Sequence, residues 1–469
     1  MRKISITFLL FFLCFVSHAN IINVPGDYST IQSAINASSN GDTVLVEPNT
    51  YFENINFRGK NIVLTSRFYM SNDPADIWAT VINGSTPSQP DSASCVMFNN
   101  HEDSTAVLQG FTLTGGTGTK WQDEHGAGRY REGGGILIQY SAPIIQFNII
   151  HDNRVTDITG VTSTGGGGMR IGDSYPGIYN NVIMNNTSRY GAGVVLNYTG
   201  GELKNNVICI NYGSFQYGAG SGIWLNGSFT RPITVTNNTI VSNSATGSTP
   251  GIYGFGAVQA AFLNNIVWGN SSPSNIQIAG GSFSVKYCDV QGGYSGAGNI
   301  DTLPMFADSN YYLSPGSPCI DKGDSSTIYN DIEDPNNSGY ALYPAMGTIR
   351  NDIGAYGGPF AEILSNILIG ITQQGTSIPG SFILYQNYPN PFNPATKIRF
   401  NIPPVNGSVA VKLTVYDILG REAAILVNGE LSPGTYEVVW NASGYSSGVY
   451  FYTLKTENFS ETGKMVLTK

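Results

Sequence analysis

From residue 108 onward, the apolar positions of this chain fall in short, largely β-branched runs, each broken by asparagine and then resumed. Six copies align: Ile145-Gln146-Phe147-Asn148-Ile149-Ile150, Ile178-Tyr179-Asn180-Asn181-Val182-Ile183, Leu203-Lys204-Asn205-Asn206-Val207-Ile208, Val235-Thr236-Asn237-Asn238-Thr239-Ile240, Phe262-Leu263-Asn264-Asn265-Ile266-Val267 and Val285-Lys286-Tyr287-Cys288-Asp289-Val290. A looser copy precedes them at Leu108-Gln109-Gly110-Phe111-Thr112-Leu113. One Asn column runs through Asn148, Asn181, Asn206, Asn238 and Asn265; a second follows five residues later at Asn153, Asn186, Asn211, Asn243 and Asn270. Runs this short cannot bury a face alone. Repeated every 23 to 33 residues, they suit one coil each of a parallel β-helix, where stacking pairs every strand with the next turn and closes an apolar bore. The first Asn column is expected to occupy left-handed turn positions, which Asn tolerates, and stacked amides can bond from coil to coil.

A third column opens each coil: Gly133-Gly134-Gly135-Ile136, Gly166-Gly167-Gly168-Met169, Gly191-Ala192-Gly193-Val194, Gly220-Ser221-Gly222-Ile223 and Gly254-Phe255-Gly256-Ala257. Glycine permits a sharp entry into the strand. The spacing from the second Asn to this column varies, so inserted loops collect along one edge. Near the N-terminus, Ile31, Ala34 and Ile35 recur at i, i+3, i+4 and predict a short helix, placed to cap the open end of the stack.

At this point the chain resembles the pectin-lyase-like superfamily. The segments carrying the resemblance are Val24-Pro25-Gly26-Asp27-Tyr28-Ser29-Thr30-Ile31, Gly41-Asp42-Thr43-Val44-Leu45-Val46 and Tyr51-Phe52-Glu53-Asn54-Ile55. The close, Ser317-Pro318-Cys319-Ile320-Asp321 and Asn351-Asp352-Ile353-Gly354-Ala355-Tyr356-Gly357, is similar to that of many exported bacterial β-helix proteins. The expected fold is all-β: a right-handed parallel β-helix with an N-terminal cap helix, followed by a small antiparallel β-sandwich.

The sandwich is read from alternating strands at Lys397 to Ile402, Val409 to Asp417, Thr435 to Trp440, Gly448 to Lys455 and Thr462 to Leu467, with glycines at the turns. By pattern alone a carbohydrate-binding sandwich fits as well. The motifs decide otherwise: Tyr388-Pro389-Asn390-Pro391-Phe392-Asn393-Pro394, Val415-Tyr416-Asp417-Ile418-Leu419-Gly420, Gly448-Val449-Tyr450-Phe451-Tyr452 and Lys464-Met465-Val466-Leu467 closely resemble the type A sorting domain of the type IX secretion system. The resemblance implies passage across an outer membrane by that machinery and removal of the domain by its sortase, with release or surface attachment. The expected organisation is a signal peptide at 1–19, the β-helix at 20–360, a linker at 361–382 and the sorting domain at 383–469.

Composition narrows the rest. Charged residues are 12% of the chain, with 57 Gly and 27 Tyr, which favours β structure over long helices. A net charge of −9, without Lys/Arg clusters, excludes nucleic acid as a partner. Arg2, Lys3, the apolar run Ile4 to Val16, then Ser17 and Ala19 form a secretion signal. Leu13 stands where lipidation of Cys14 would need a small residue. No later run is long enough for a transmembrane helix, and a secreted or cell-surface monomer is expected. Cys95, Cys209, Cys288 and Cys319 remain after cleavage; buried free thiols and disulfides are both open.

Candidate chemistry lies on the strand after the Gly column. With Ile136, Ile138, Met169, Ile171, Val194, Leu196, Ile223 and Leu225 inward, alternation sends Leu137, Gln139, Arg170, Val195, Asn197, Trp224 and Asn226 outward. Gln139, Arg170, Asn197, Trp224 and Asn226 are the expected ligand-binding set: an aromatic face for a sugar ring, amides for its hydroxyls. The polar insertion Lys120 to Glu132 supplies Asp123, Glu124, His125, Arg129 and Arg131, which with Arg170 and Asp173 are candidates for the base and cations of a polysaccharide lyase. No paired-Asp run, Gly-His-Gly or acid cluster of the superfamily's known enzymes is present. Asp331-Ile332-Glu333-Asp334-Pro335-Asn336-Asn337 could hold Ca²⁺ but lacks the glycine-turn spacing of a known loop. Three readings follow: an exported β-helix engaging polysaccharide or cell-surface glycan, a polysaccharide lyase or glycoside hydrolase, and a structural surface protein or adhesin.

Overall fold

The computed structural model describes residues 19–123, 125–214, 219–227, 233–247, 249–272, 274, 276–308, 310–361, 371–373, 379–393, 395–404, 409–431, 433–442 and 445–468. Residues 1–18 of the expected signal peptide, Glu124, Pro394 and most of the expected linker lie outside them.

Four parallel ladders wind into a right-handed β-helix. The first contains Ile55–Asn56, Val96–Phe98, Ile136–Gln139, Met169–Gly172, Val194–Asn197, Ile223–Asn226 and the start of the long strand Ile252–Leu263. The second runs from Ile21–Val24 through Ile144–Gln146, Gly177–Tyr179, Gly201–Lys204 and Ile233–Thr236 to the end of that same long strand. The third holds Ile149–His151, Val182–Met184, Val207–Cys209, Thr239–Val241 and Ile266–Trp268. A short fourth ladder joins Arg154–Val155, Thr187–Ser188, Tyr212–Gly213 and Ser244–Ala245. Like residues sit over like. Ile138, Ile171, Leu196 and Leu225 lie in register, and all are buried in one continuous core. Each such side chain contributes roughly 1.5–3 kcal/mol by leaving water.

The helix Ile31–Ala37 starts at Thr30, whose side chain accepts the Ser33 N–H. Glu53 accepts the Ile31 and Gln32 N–H groups at 2.9 Å each. A carboxylate there satisfies two orphan donors and the positive helix end at once. Ile31, Ala34 and Ile35 are fully buried against the first coils.

Both Asn columns form continuous amide ladders. Nδ2 of each residue donates to Oδ1 one coil on: Asn148 to Asn181, Asn181 to Asn206, Asn206 to Asn238 and Asn238 to Asn265 at 2.9–3.1 Å. Asn153, Asn186, Asn211, Asn243 and Asn270 do the same at 2.9–3.0 Å. Cys288 ends the first column, its sulfur accepting the Asn265 N–H at 3.3 Å; Gln277 ends the second.

Two sequence expectations need correction. The left-handed residue is not the ladder Asn but its predecessor: Phe147, Asn180, Asn205, Asn237 and Asn264 all have positive φ. The ladder residue must aim its amide into the bore, while the bulge before it absorbs the turn. The Gly column also does not continue through Gly254 and Gly256. Ile223 pairs with Ile252, and the Gly222 N–H donates to Gly251 O, so Gly251 is its fifth member.

A strap, residues 300–361, covers the outer face of the third ladder. Tyr312, Leu313, Cys319, Ile353, Ala355 and Tyr356 pack on Val182, Met184, Val207, Cys209, Val241 and Ile266. The left-handed Asn residues hold it: Asn205 Nδ2 donates to Ala355 O and Gly357 O at 2.9 and 2.7 Å, and Asn237 Nδ2 to Asp352 O at 2.9 Å. The Asn-Asn pairs therefore divide labour, the first gripping the strap and the second lining the bore. All four cysteines are free and buried.

The C-terminal region is a two-sheet sandwich. Ala395–Ile402, Gly434–Asn441 and Ile383–Leu384 lie in one sheet; Glu422–Leu431, Val409–Asp417, Gly448–Lys455 and Ser460–Leu467 form the other. Their inner faces share one core that includes Phe392, Phe400, Trp440 and Tyr452. Ile371–Gln373, inside the expected linker, pairs antiparallel with Gly434–Asn441.

Candidate functional site

The outward face of the first ladder divides in two. Over its early coils a side sheet lies across it: Ser92–Ala93, Gly118–Gln122, Arg129–Glu132 and Ser163–Gly165. The polar insertion is thus largely a hairpin, Trp121 opposite Tyr130 and Gln122 opposite Arg129. Leu137, Gln139, Arg170 and Val195 are all buried, Arg170 under Trp121 and Glu132 of the hairpin. Gln139 and Arg170 therefore do not belong to a solvent-facing ligand strip. Alternation sets the direction of these side chains correctly, but their exposure depends on a lid contributed by a distant insertion.

Beneath the lid, Arg170 pairs with Glu132 at 3.2 Å, both completely enclosed. Asp173 is linked to Arg170 by hydrogen bonds through Gln139. The Arg170 guanidinium lies 3.8 Å from the Trp121 ring centre. Trp121 Nε1 and Tyr190 Oη donate to Glu132 at 3.0 and 2.5 Å. Burial pushes the Glu132 carboxyl above its ordinary range and the Arg170 guanidinium below its own, each opposed by the charge of the other. Their mutual attraction and these bonds offset part of the desolvation.

A chain of bonds leads from this cluster to the surface. Arg170 donates to Gln139 Oε1, Gln139 Nε2 to Asp173 Oδ2 at 3.2 Å, and Asp173 Oδ1 meets His125 Nε2 at 3.0 Å. His125 stacks on Tyr198 one coil further on, ring centres 3.6 Å apart. Of the candidate catalytic residues, His125 and Asp173 are in direct contact. Asp123 is committed to its own turn, accepting the Ala127 N–H at 2.7 Å. Arg131 is buried, bonded to Pro90 O and Gly118 O and paired with Asp91 and Asp157. Arg129 lies exposed on the hairpin, and Glu124 is outside the described residues.

Beyond the lid the described residues leave the strip open. Trp224, Tyr253 and Phe255 form an aromatic tier on adjacent coils: Trp224 lies 5.0 Å from Tyr253 and 5.8 Å from Phe255, with Tyr190 at 4.9 Å on its other side. Phe255 is 55% exposed. Beside the tier Asn197 pairs in register with Asn226, and Asn226 with Phe255. Among the described residues, Asn197 Oδ1 is enclosed and has no hydrogen-bond partner. Sequence reading missed Tyr253 and Phe255, because the misplaced Gly column put the strand start at Ala257 rather than Ile252; the strand register recovers them.

Among the described residues no group of three His, Cys, Asp or Glu side chains is placed to hold a metal, and no helix is long and apolar enough to cross a membrane. In the Ca²⁺ candidate, Asp331 accepts the N–H groups of Asp352 and Gly358, Glu333 the Ser338 hydroxyl and the Gly339 N–H, and Asp334 the Asn336 N–H.

In the sandwich, the Asn387–Phe392 motif is a structural staple. Asn387 Nδ2 donates to Thr396 Oγ1 at 2.9 Å; the Phe392 N–H donates to Val466 O, and the Thr468 N–H to Phe392 O. Asp417 accepts the Leu419 and Arg421 N–H groups, leaving Ile418 and Leu419 exposed at the hairpin tip.

Comparison with known proteins bears on these two parts unequally. No curated protein matches the chain. Among solved structures, it is similar to the enzymatically active domain of bacteriophage CBA120 tailspike protein 4, at 12% identity and a TM-score of 0.27; the alignment covers 93% of this chain and 63% of that one. Residues 386–468 match the secretion system C-terminal sorting domain family. The chain is thus a parallel β-helix carrying a secretion system C-terminal sorting domain at its end.

Proposed function

We propose that this protein is an exported glycan-binding β-helix, working outside the cell through the open half of its first ladder. The observation that carries the reading is the tier Trp224, Tyr253 and Phe255 beside the amides of Asn197 and Asn226. Aromatic rings offer apolar contact to a sugar ring, and carboxamides offer both donor and acceptor to its polar groups. The sorting-domain match supports delivery to the outer surface or medium, and its motifs support the type IX route with removal by the sortase. A panel of polysaccharides in affinity electrophoresis tests the reading: at least one should retard the protein, and Trp224→Ala should abolish the retardation. Normal mobility with every polysaccharide would refute it.

One observation favours a second reading, catalysis on the bound glycan. His125 and Asp173 form a bonded pair at the edge of the strip, and Asp173 is braced from within by Gln139 and Arg170. A base held this way can move a proton. Appearance of unsaturated or reducing ends in the same panel, lost in His125→Ala, would establish it; a silent assay with retained retardation leaves binding alone.

A further inference from the structure

We infer that the chain is cut between Ala19 and Asn20 and that the ammonium so freed pairs with Asp42, locking the first coil of the β-helix. The inference is independent of the glycan reading. Asn20 stands where the second ladder begins: its carbonyl accepts the Thr43 N–H at 2.8 Å, and Ile21–Val24 then pairs in register with Thr43–Val46. Its own N–H donates to Asp42 Oδ1 at 2.9 Å, and its Nδ2 to the same oxygen at 3.3 Å. Asp42 Oδ2 accepts the Ser39 N–H at 2.8 Å, in the turn that leaves the cap helix. Asp42 thus joins the first strand, the cap helix and the second strand. It is 4% exposed, whereas Ala19 and Asn20 lie open to a peptidase.

The Asp42 carboxyl is held below its ordinary range, first by the Asn20 N–H and then by that of Ser39. Lys60 contributes least, and its ammonium is bonded to Asn36 O and Ser38 O. The anion's direct partners are therefore neutral N–H groups. Hydrolysis changes that. Water gives its oxygen to the Ala19 carbonyl carbon as the C–N bond breaks; Ala19 leaves as a carboxylate, and the Asn20 nitrogen takes both water hydrogens to become an ammonium. The charge appears on the atom already aimed at Asp42, where a charge-assisted bond is shorter and stronger than a neutral one. The same geometry fixes the cut. One residue later, Asp42 and the Thr43 N–H both lose Asn20. Any earlier, the charge moves off by about 3.8 Å per residue along an exposed segment. Ser17 and Ala19 are the small residues that a signal peptidase accepts.

Two measurements test this. N-terminal sequencing of the exported protein should read Asn20-Ile21-Ile22; any other start overturns the assigned cut. Amide exchange at residues 21–24 then compares residues 20–469, beginning at Asn20, with the same chain preceded by Ser17-His18-Ala19, each with and without Asp42→Asn. The three preceding residues should speed exchange about threefold or more at neutral pH. They should have no effect once Asp42 is replaced, with thermal melting showing that all four proteins fold. Equal exchange with and without the preceding residues, or an effect that survives Asp42→Asn, would overturn the ion pair.

Discussion

Asn205 and Asn206 are adjacent in sequence and do unlike work. Asn206 is one member of an amide column: its Nδ2 donates to Ile178 O and Asn238 Oδ1, and its Oδ1 accepts from Asn181. Asn206→Ala leaves buried partners unpaired on both neighbouring coils, at about 1–3 kcal/mol for each stranded group; the whole β-helix should melt at a markedly lower temperature. Asn205 reaches outward to the strap and has positive φ. Asn205→Gly keeps the backbone conformation and removes only the grip. It should speed proteolysis within residues 300–361 and leave the melting of the β-helix nearly unchanged. At the buried pair, Glu132→Gln strands the Arg170 charge and should cost about 3–5 kcal/mol, read by denaturant unfolding.

At the scale of elements, the strap carries a pH dependence of defined sign. Asp331 and Asp352 sit inside it, Asp331 accepting the Asp352 N–H. Burial raises both carboxyls well above 3.8, to about 8 and about 7, with the Asp352 charge adding to it at Asp331 and the Asp321 charge at Asp352. Folded-state values above the unfolded ones mean that this contribution is complete below about pH 4 and is lost as pH rises through 7 to 8. Amide exchange in residues 300–361 should accelerate between about pH 4 and pH 8 beyond its intrinsic base catalysis, and Asp331→Asn should flatten that excess. What the sequence shows at this scale follows from period. Coils, cap helix and most sandwich strands can be read because their apolar spacing is local: Ile31, Ala34 and Ile35 are buried together as their spacing requires. The lid and the strap are not legible, because Lys120 to Glu132 and residues 300–361 have no period and gain their place only from the faces they cover. For the same reason Arg170 reads as a surface cation, although Glu132 and Trp121 enclose it. The left-handed turn was misplaced by one residue because both members of each Asn-Asn pair can adopt it.

The whole molecule joins a β-helix, whose first ladder is covered by a side sheet over its early coils and left open by the described residues over its later ones, to a secretion system sorting domain. That division turns a repetitive stack into a protein with one distinct surface, and the site depends on where the lid stops. The most direct measurement is a hydrogen–deuterium exchange footprint of the chain saturated with a polysaccharide that retards it. Protection confined to residues 195–198, 223–226 and 252–256, with 136–139 and 169–172 unchanged beneath their lid, is the predicted result. Protection on the strap or the sandwich instead, with 223–226 and 252–256 exchanging as in the free protein, would contradict it.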